Sequence, residues 1–253
     1  MSARVALVTG ASRGIGAAIA RALAEEGVHI VAAARSADAL QAVVDALPAE
    51  SIAVACDLVQ PDAATRLVEI AMQRFGRIDI VVNNAGATPR GDFLAFDDAA
   101  WQDGFALKFF GAARLCRVAW PHLVATQGCI VNIAGIGGRT GSAEFTIGGS
   151  VNAALLNFTK ALADRGVHDG VRVNAVNPSG IATERTQVRI DRLAAERGIA
   201  PEAAAAELAR ALRVARFGRP EEIASVVAFL ASDRASYMQG AIVDVDGGQT
   251  RTL

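Results

Sequence analysis

Thr9-Gly10-Ala11-Ser12-Arg13-Gly14-Ile15-Gly16 stands between an apolar run, Arg4–Val8, and an Ala-rich segment, Gly14–Glu26, that reads as a helix stopped at Gly27. Glycines at this spacing let a chain turn tightly after a strand, and their missing β-carbons bring backbone N–H groups against a pyrophosphate. The N-terminus of the helix that follows adds partial positive charge at the same spot. A glycine cluster by itself also suits a close-packed turn. The strand-turn-helix setting is what favours the nucleotide reading.

Outward from this turn the same rhythm recurs. Short β-branched runs at Val28–Ala34, Ser51–Cys56, Asp79–Asn83, Cys129–Ile133, Val171–Val176 and Ile242–Asp246 alternate with amphipathic segments. Val28–Ala34 lacks polar alternation, as a strand buried on both faces does. Ser36 reads as an N-cap, and Pro61 as a first helical residue ahead of the helix Asp62–Phe75, which Gly76 ends. A long helix over about 97–124 is expected to end or bend just before Pro121, and Ser150–Arg165 reads as a further helix. The alternation predicts an α/β fold with a doubly wound, Rossmann-type parallel sheet in a single domain, 1–253. Residues 183–218 break the strand rhythm and are rich in Ala, Glu and Arg. They are expected to form a helical lid over the sheet's carboxyl edge, where substrates sit in such folds.

With 253 residues, 52% of them hydrophobic, the chain has material for one large core. Its 25 Lys and Arg against 26 Asp and Glu leave a net charge of −1, which excludes the basic footprint of a non-specific nucleic-acid or anionic-membrane binder. No apolar stretch reaches bilayer-spanning length, so a soluble, cytoplasmic protein is expected. Cys56, Cys116 and Cys129 are odd in number and widely spaced; they read as buried free thiols, and no metal site is expected. Acid-base candidates are scarce. There is one tyrosine, Tyr237, with two lysines, Lys108 and Lys160, and three histidines, His29, His122 and His168. The histidines lack a carboxylate at useful spacing, and Lys160 reads as a surface charge.

The glycine turn matches the T-G-x-x-x-G-x-G pattern of the short-chain dehydrogenase/reductase family, and the resemblance continues in order over residues 4–248. Asp57-Leu58 resembles the family's adenine-contacting pair, and Asn83-Asn84-Ala85-Gly86 its strand-four motif. Pro178-Ser179-Gly180-Ile181 with Thr183 resembles the nicotinamide-side loop, and Val245-Asp246-Gly247-Gly248 the last strand. The resemblance implies a dinucleotide site built from Gly10, Ser12, Arg13, Gly14, Ile15, Gly16, Asp57, Leu58, Asn84, Ala85, Gly86, Pro178, Gly180, Ile181 and Thr183. It also implies a homodimer or homotetramer. Ser179 stands where the family has glycine, and a shift of that loop's backbone is expected.

A carboxylate at the end of the second strand would accept bonds from a free ribose and repel a 2′-phosphate. Here the strand ends Ala33-Ala34-Arg35 with no acid, and Arg13 and Arg35 could clamp a phosphate. NADP(H) is therefore expected over NAD(H). The alternative is that Arg35 is only a solvated loop cation.

The family's Y-x-x-x-K-A-A-L pattern falls on Gly148-Gly149-Ser150-Val151-Asn152-Ala153-Ala154-Leu155, so Gly148 takes the tyrosine position and Asn152 the lysine position. The family's serine falls on Gly135 and its asparagine on Lys108, so the resemblance implies that all four catalytic positions are substituted. Lysine and asparagine read as exchanged between two helices. Catalytic roles therefore fall to Lys108 and Asn152, with the lysine reaching toward Asn152 and the nicotinamide ribose. The alternatives are a structural Lys108–Asn152 hydrogen bond or a lysine head in solvent. Loss of two side chains at Gly135 and Gly148 either widens the pocket, with Phe109, Phe110 and Phe145 near enough in sequence to line it, or lets neighbours refill it. Thr146 and Ser150 are the nearest hydroxyls in sequence.

The segment from Glu184 to Arg219 holds eight arginines, at 185, 189, 192, 197, 210, 213, 216 and 219, against five acids, Glu184, Asp191, Glu196, Glu202 and Glu207. Attraction of an anionic small-molecule substrate and a salt-bridged lid both explain that balance. The function expected is an NADP(H)-dependent oxidoreductase acting on a carbonyl or alcohol through a non-standard site. The other readings are an inactive NADP(H)-binding or assembly subunit, and a lyase or hydrolase on the same fold.

Overall fold

The computed structural model describes residues 3–251; residues 1, 2, 252 and 253 of the expected domain lie outside the described residues. Seven strands, β1 (Val5–Thr9), β2 (His29–Ala34), β3 (Ser51–Ala55), β4 (Ile80–Asn83), β5 (Cys129–Ile133), β6 (Arg172–Pro178) and β7 (Ile242–Val245), form one sheet. Its order is β3-β2-β1-β4-β5-β6-β7, and every neighbouring pair is parallel. The order reverses between β1 and β4, which opens a crevice beyond their carboxyl ends.

Every residue of β1 is buried, with Ala6 and Val8 in one core cluster and Val5 and Leu7 in the other. Successive side chains of a strand point to opposite faces, so two covered faces demand an unbroken apolar run. On the first face lie α1 (Gly14–Glu25) and α9 (Pro220–Ala231), which contribute Ile19, Leu23, Ile223 and Val227. On the second lie α3 (Ala63–Phe75) and α5 (Ala112–Thr126), with Leu67, Leu115 and Leu123. The turn at Gly76 has φ of +71°, a left-handed helix end that glycine adopts without a β-carbon clash.

Several local expectations need correcting. Ser36 does precede α2 (Ala37–Asp45), but its side chain makes no capping bond. Pro61 lies ahead of Asp62, the N-cap of α3, outside the helix. The expected helix over 97–124 is α4 (Asp98–Phe105), a π-helical turn over Ala106–Gly111, and then α5. α5 continues past Pro121 and does not end there: both Pro121 and Arg117, whose carbonyl loses its helical donor, are exposed, so water can satisfy that oxygen. α6 is longer than expected, covering Thr146–Asp169. The segment expected as a lid folds into α7 (Glu184–Arg197) and α8 (Pro201–Ala211). No helix among the described residues is long and apolar enough to cross a membrane.

Candidate functional site

The glycine turn is shaped by what its backbone must approach. Gly10 has φ of +66°, and a β-carbon on it would lie 2.9 Å from Asn84 Nδ2. One on Gly16 would strike the Gly10 carbonyl oxygen. Asn84 secures this packing by donating from Nδ2 to the Thr9 carbonyl at 2.9 Å and to that of Gly10 at 3.2 Å. Thr9 Oγ1 accepts from the backbone N–H groups of Asn84 and Ala85, each at 3.0 Å. The turn after β1 and the motif after β4 are thus one unit at the sheet's switch point, and Ser12 and Ile15 lie within it. The cradle is one a side chain would fill, which fits a group brought up against bare backbone.

The other expected nucleotide residues gather around the same crevice. Asp57 and Leu58 follow β3, where Asp57 Oδ1 accepts from the Val59 N–H at 3.2 Å and Leu58 is buried. Pro178 ends β6, and Ser179 Oγ bonds to Gln249 Oε1. Ile181 bridges to Gly218, while the Gly218 N–H donates to the Gly180 carbonyl at 2.9 Å. Thr183, the N-cap of α7, puts its methyl 3.4 Å from the β-carbon position of Gly14. Arg13 Nη1 meets Glu184 at 3.1 Å, an exposed pair that ties the glycine turn to the lid. Arg35 is exposed and, among the described residues, makes no hydrogen bond or ion pair.

Lys108 sits in the π-helical turn, a feature often found where a helix re-aims a functional side chain. Its stem lies on Gly86, where a β-carbon would be 2.8 Å from Cδ. Its Nζ donates to the Ala134 carbonyl at 2.5 Å. Burial, with a smaller push from Arg185, lowers its pKa to about 8. The lysine therefore neither bonds Asn152 nor keeps its head in bulk solvent. Asn152 is buried, and its Oδ1 has no hydrogen-bond partner among the described residues. Its Nδ2 is 3.0 Å from the β-carbon position of Gly135, whose φ is +143°.

The space beside Gly148 is filled. A β-carbon there would collide with the ring of Phe145, which also lies 2.9 Å from the β-carbon position of Gly137. Of the three aromatics expected at the pocket, only Phe145 is there. Phe109 packs edge-on against Phe105, Phe110 and Phe158, and Phe110 lines a separate surface groove with Trp120 and Leu162. Sequence reasoning missed Arg90, whose guanidinium lies 4.3 Å from the centre of the Phe145 ring. Only its position four residues after Gly86 could have signalled it.

The remaining candidates are remote or inert. Tyr237 is fully exposed. Lys160 is an exposed charge beside Gly240. His29 stacks on Phe75. Burial pushes Cys116 up to about 12 and Cys129 to about 11, which keeps both protonated and unreactive. Thr146 Oγ1 is buried without a partner among the described residues, and Ser150 is exposed. Among the described residues no three His, Cys, Asp or Glu side chains gather as metal ligands would.

Residues 10–250 match the family described as Enoyl-(Acyl carrier protein) reductase. The chain belongs to the short-chain dehydrogenase/reductase family. Within it, the chain is 37% identical over 255 residues to the 3-oxoacyl-(acyl-carrier-protein) reductase of Synechocystis sp., covering 98% of this chain and 97% of the relative. It is 34% identical over 251 residues to the meso-2,3-butanediol dehydrogenase of Serratia marcescens, covering 98% and 94%. Among solved structures, the L-sorbose reductase from Gluconobacter frateurii, complexed with NADPH and L-sorbose, superposes with a TM-score of 0.95. That match has 34% identity and covers 100% of this short-chain dehydrogenase/reductase and 98% of the solved chain.

Proposed function

We propose that this short-chain dehydrogenase/reductase is an NADP(H)-dependent oxidoreductase that interconverts a carbonyl and an alcohol on a small molecule, with Lys108 as its acid and base. The observation that carries the reading is the Lys108 amine, withdrawn from water between Gly86 and Ala134 with its pKa lowered to about 8. A group titrating near the working pH is suited to moving a proton in either direction.

NADP(H), when bound, supplies or accepts the hydride. The glycine turn and the α1 N-terminus would hold its pyrophosphate, Asp57 and Leu58 its adenine, and Arg35 with Arg13 its 2′-phosphate. The Arg13–Glu184 pair is exposed and therefore weak, so Arg13 can exchange that carboxylate for a phosphate. In reduction, Lys108 Nζ gives a proton to the substrate oxygen; in oxidation it takes the proton back. The Ala134 carbonyl orients the amine. The unpartnered Asn152 Oδ1 would accept a hydrogen bond from a ribose hydroxyl, and the Phe145 ring would keep water from the reacting carbon.

The test is calorimetric titration with NADPH and NADH, followed by deuteride transfer from 4-deuterated NADPH to a broad carbonyl panel. Tighter NADPH binding with deuterium appearing in an alcohol supports the reading. Binding without transfer across the panel favours an inactive nucleotide-binding subunit, and no binding of either nucleotide overturns the proposal.

A further inference from the structure

The arginines of the lid and its flanks fall into two groups. Arg13, Arg192, Arg197, Arg216 and Arg219 each have a carboxylate within 4 Å: Glu184, Glu196, Glu207 and, for the last two, Glu222. Among the described residues Arg90, Arg185 and Arg189 have none. Arg210 and Arg213 are also unpaired, but no contact ties them to the pocket.

Two of the three unpaired arginines are anchored where the substrate would enter. The Arg90 guanidinium carbon lies over the Phe145 ring, which fills the space beside Gly148. The neighbouring Gly91 N–H donates to the Glu144 carbonyl at 3.0 Å, which fixes that loop to the start of α6. Arg185 spends one N–H on the Gly86 carbonyl at 3.3 Å, directly over the glycine that carries the Lys108 stem. Arg189 follows Arg185 by four residues on α7, so the two share a helix face. Burial and the Arg189 charge lower the pKa of Arg90, with Glu144 opposing, and Arg185 lowers that of Lys108. The Arg189 charge therefore acts on Arg90, and the Arg185 charge on Lys108. Like charges held together are destabilising unless an anion joins them, and guanidinium forks match a planar carboxylate.

We propose that Arg90, Arg185 and Arg189 form a receptor for a carboxylate on the substrate, making the reducible compound an oxo acid and its product a hydroxy acid. This rests on the oxidoreductase reading above and names its substrate class. Arg90 and Arg189 grip the carboxylate on the lid side, leaving the carbonyl to face Lys108.

The experiment compares paired probes: 2-, 3- and 4-oxo acids and a cyclic oxo acid, each beside its methyl ester. Each probe is titrated into protein saturated with NADP+ and assayed with NADPH. At least one acid should bind and exceed its ester in kcat/KM by about tenfold or more, the scale of one charge-assisted contact. In the R90Q/R189Q double variant that ratio should fall toward one, while the NADPH dissociation constant stays as it was. Esters that match their acids throughout, or an acid preference that survives the double variant, overturn the receptor while leaving the oxidoreductase standing. Failure of NADPH to bind overturns the oxidoreductase; acid binding to the nucleotide-free protein, lost in R90Q/R189Q, then still decides for or against the receptor.

Discussion

Lys108 and Asn152 reach the same dipeptide from different helical segments. The amine donates to the Ala134 carbonyl at 2.5 Å, and the Asn152 amide nitrogen stands 3.0 Å from the β-carbon position of the adjacent Gly135. The carboxyl end of β5 is therefore where the lysine amine and the buried Asn152 amide approach one strand end, without a direct bond between them. A side chain on Gly135 would press on Asn152, so the glycine makes this approach feasible.

Lys108→Met tests the acid. Loss of general acid catalysis should lower kcat by about 100-fold or more with little change in NADPH affinity, read by steady-state kinetics and titration. Wild-type reduction should decline as pH rises through about 8, because the amine must be protonated to act.

The same substitution should raise stability. The folded pKa of about 8 lies below the ordinary lysine value of 10.5, so between them the unfolded chain holds a proton that the folded chain has released. Stability contributed by this group therefore rises with pH across that window, and the penalty is full below about 8. Its size is at most about 3 kcal/mol. Melting curves near neutral pH should place Lys108→Met above the wild type, and the gap should close as pH approaches 10.5.

Gly148→Tyr should not create a working phenol. Its β-carbon collides with Phe145, and overpacking of this kind costs about 1–3 kcal/mol. Adding Phe145→Ala should recover much of that loss in thermal denaturation. A single variant as stable as the wild type would contradict the packing described.

Arg35→Asp addresses the choice of nucleotide. A carboxylate at the end of β2 would repel a 2′-phosphate and accept ribose bonds, so the ratio of NADPH to NADH affinity should fall by about tenfold or more. An unchanged ratio would mean that Arg35 is a solvated cation.

Gly16→Ala should abolish nucleotide binding, since the new methyl would strike the Gly10 carbonyl oxygen in the backbone of the cradle. Calorimetry on the folded variant checks this. Binding within twofold of the wild type would count against the cradle.

The parallel sheet was legible because β1 and β2 are nearly continuous apolar runs, the other strands are short β-branched runs, and glycine marks the turn after β1. The residues proposed for the nucleotide lie at the carboxyl ends of β1, β3, β4 and β6; glycine spacing marked the first group, and the family resemblance implied the others. α9 was not: after Glu221 and Glu222 it is apolar nearly all round, buried against α1, so no helical stripe stands out. Pro121 misled because its effect depends on which side of the helix meets water. Arg90 was invisible because its partner is an aromatic ring 55 positions away, and the emptiness suggested by two glycines was cancelled by Phe145 through the path of one turn before α6. Periodicity reports elements and spacing reports turns; neither reports which side chain fills a hole.

The placement of Phe145 against Gly148 also bears on descent. A bulky residue at 148 and the phenyl ring of Phe145 compete for one volume, so a single replacement at 148 meets the ring before it brings any benefit. Removing the ring first leaves that volume open. The two positions are therefore coupled, and a lineage profits from changing one only when it changes the other.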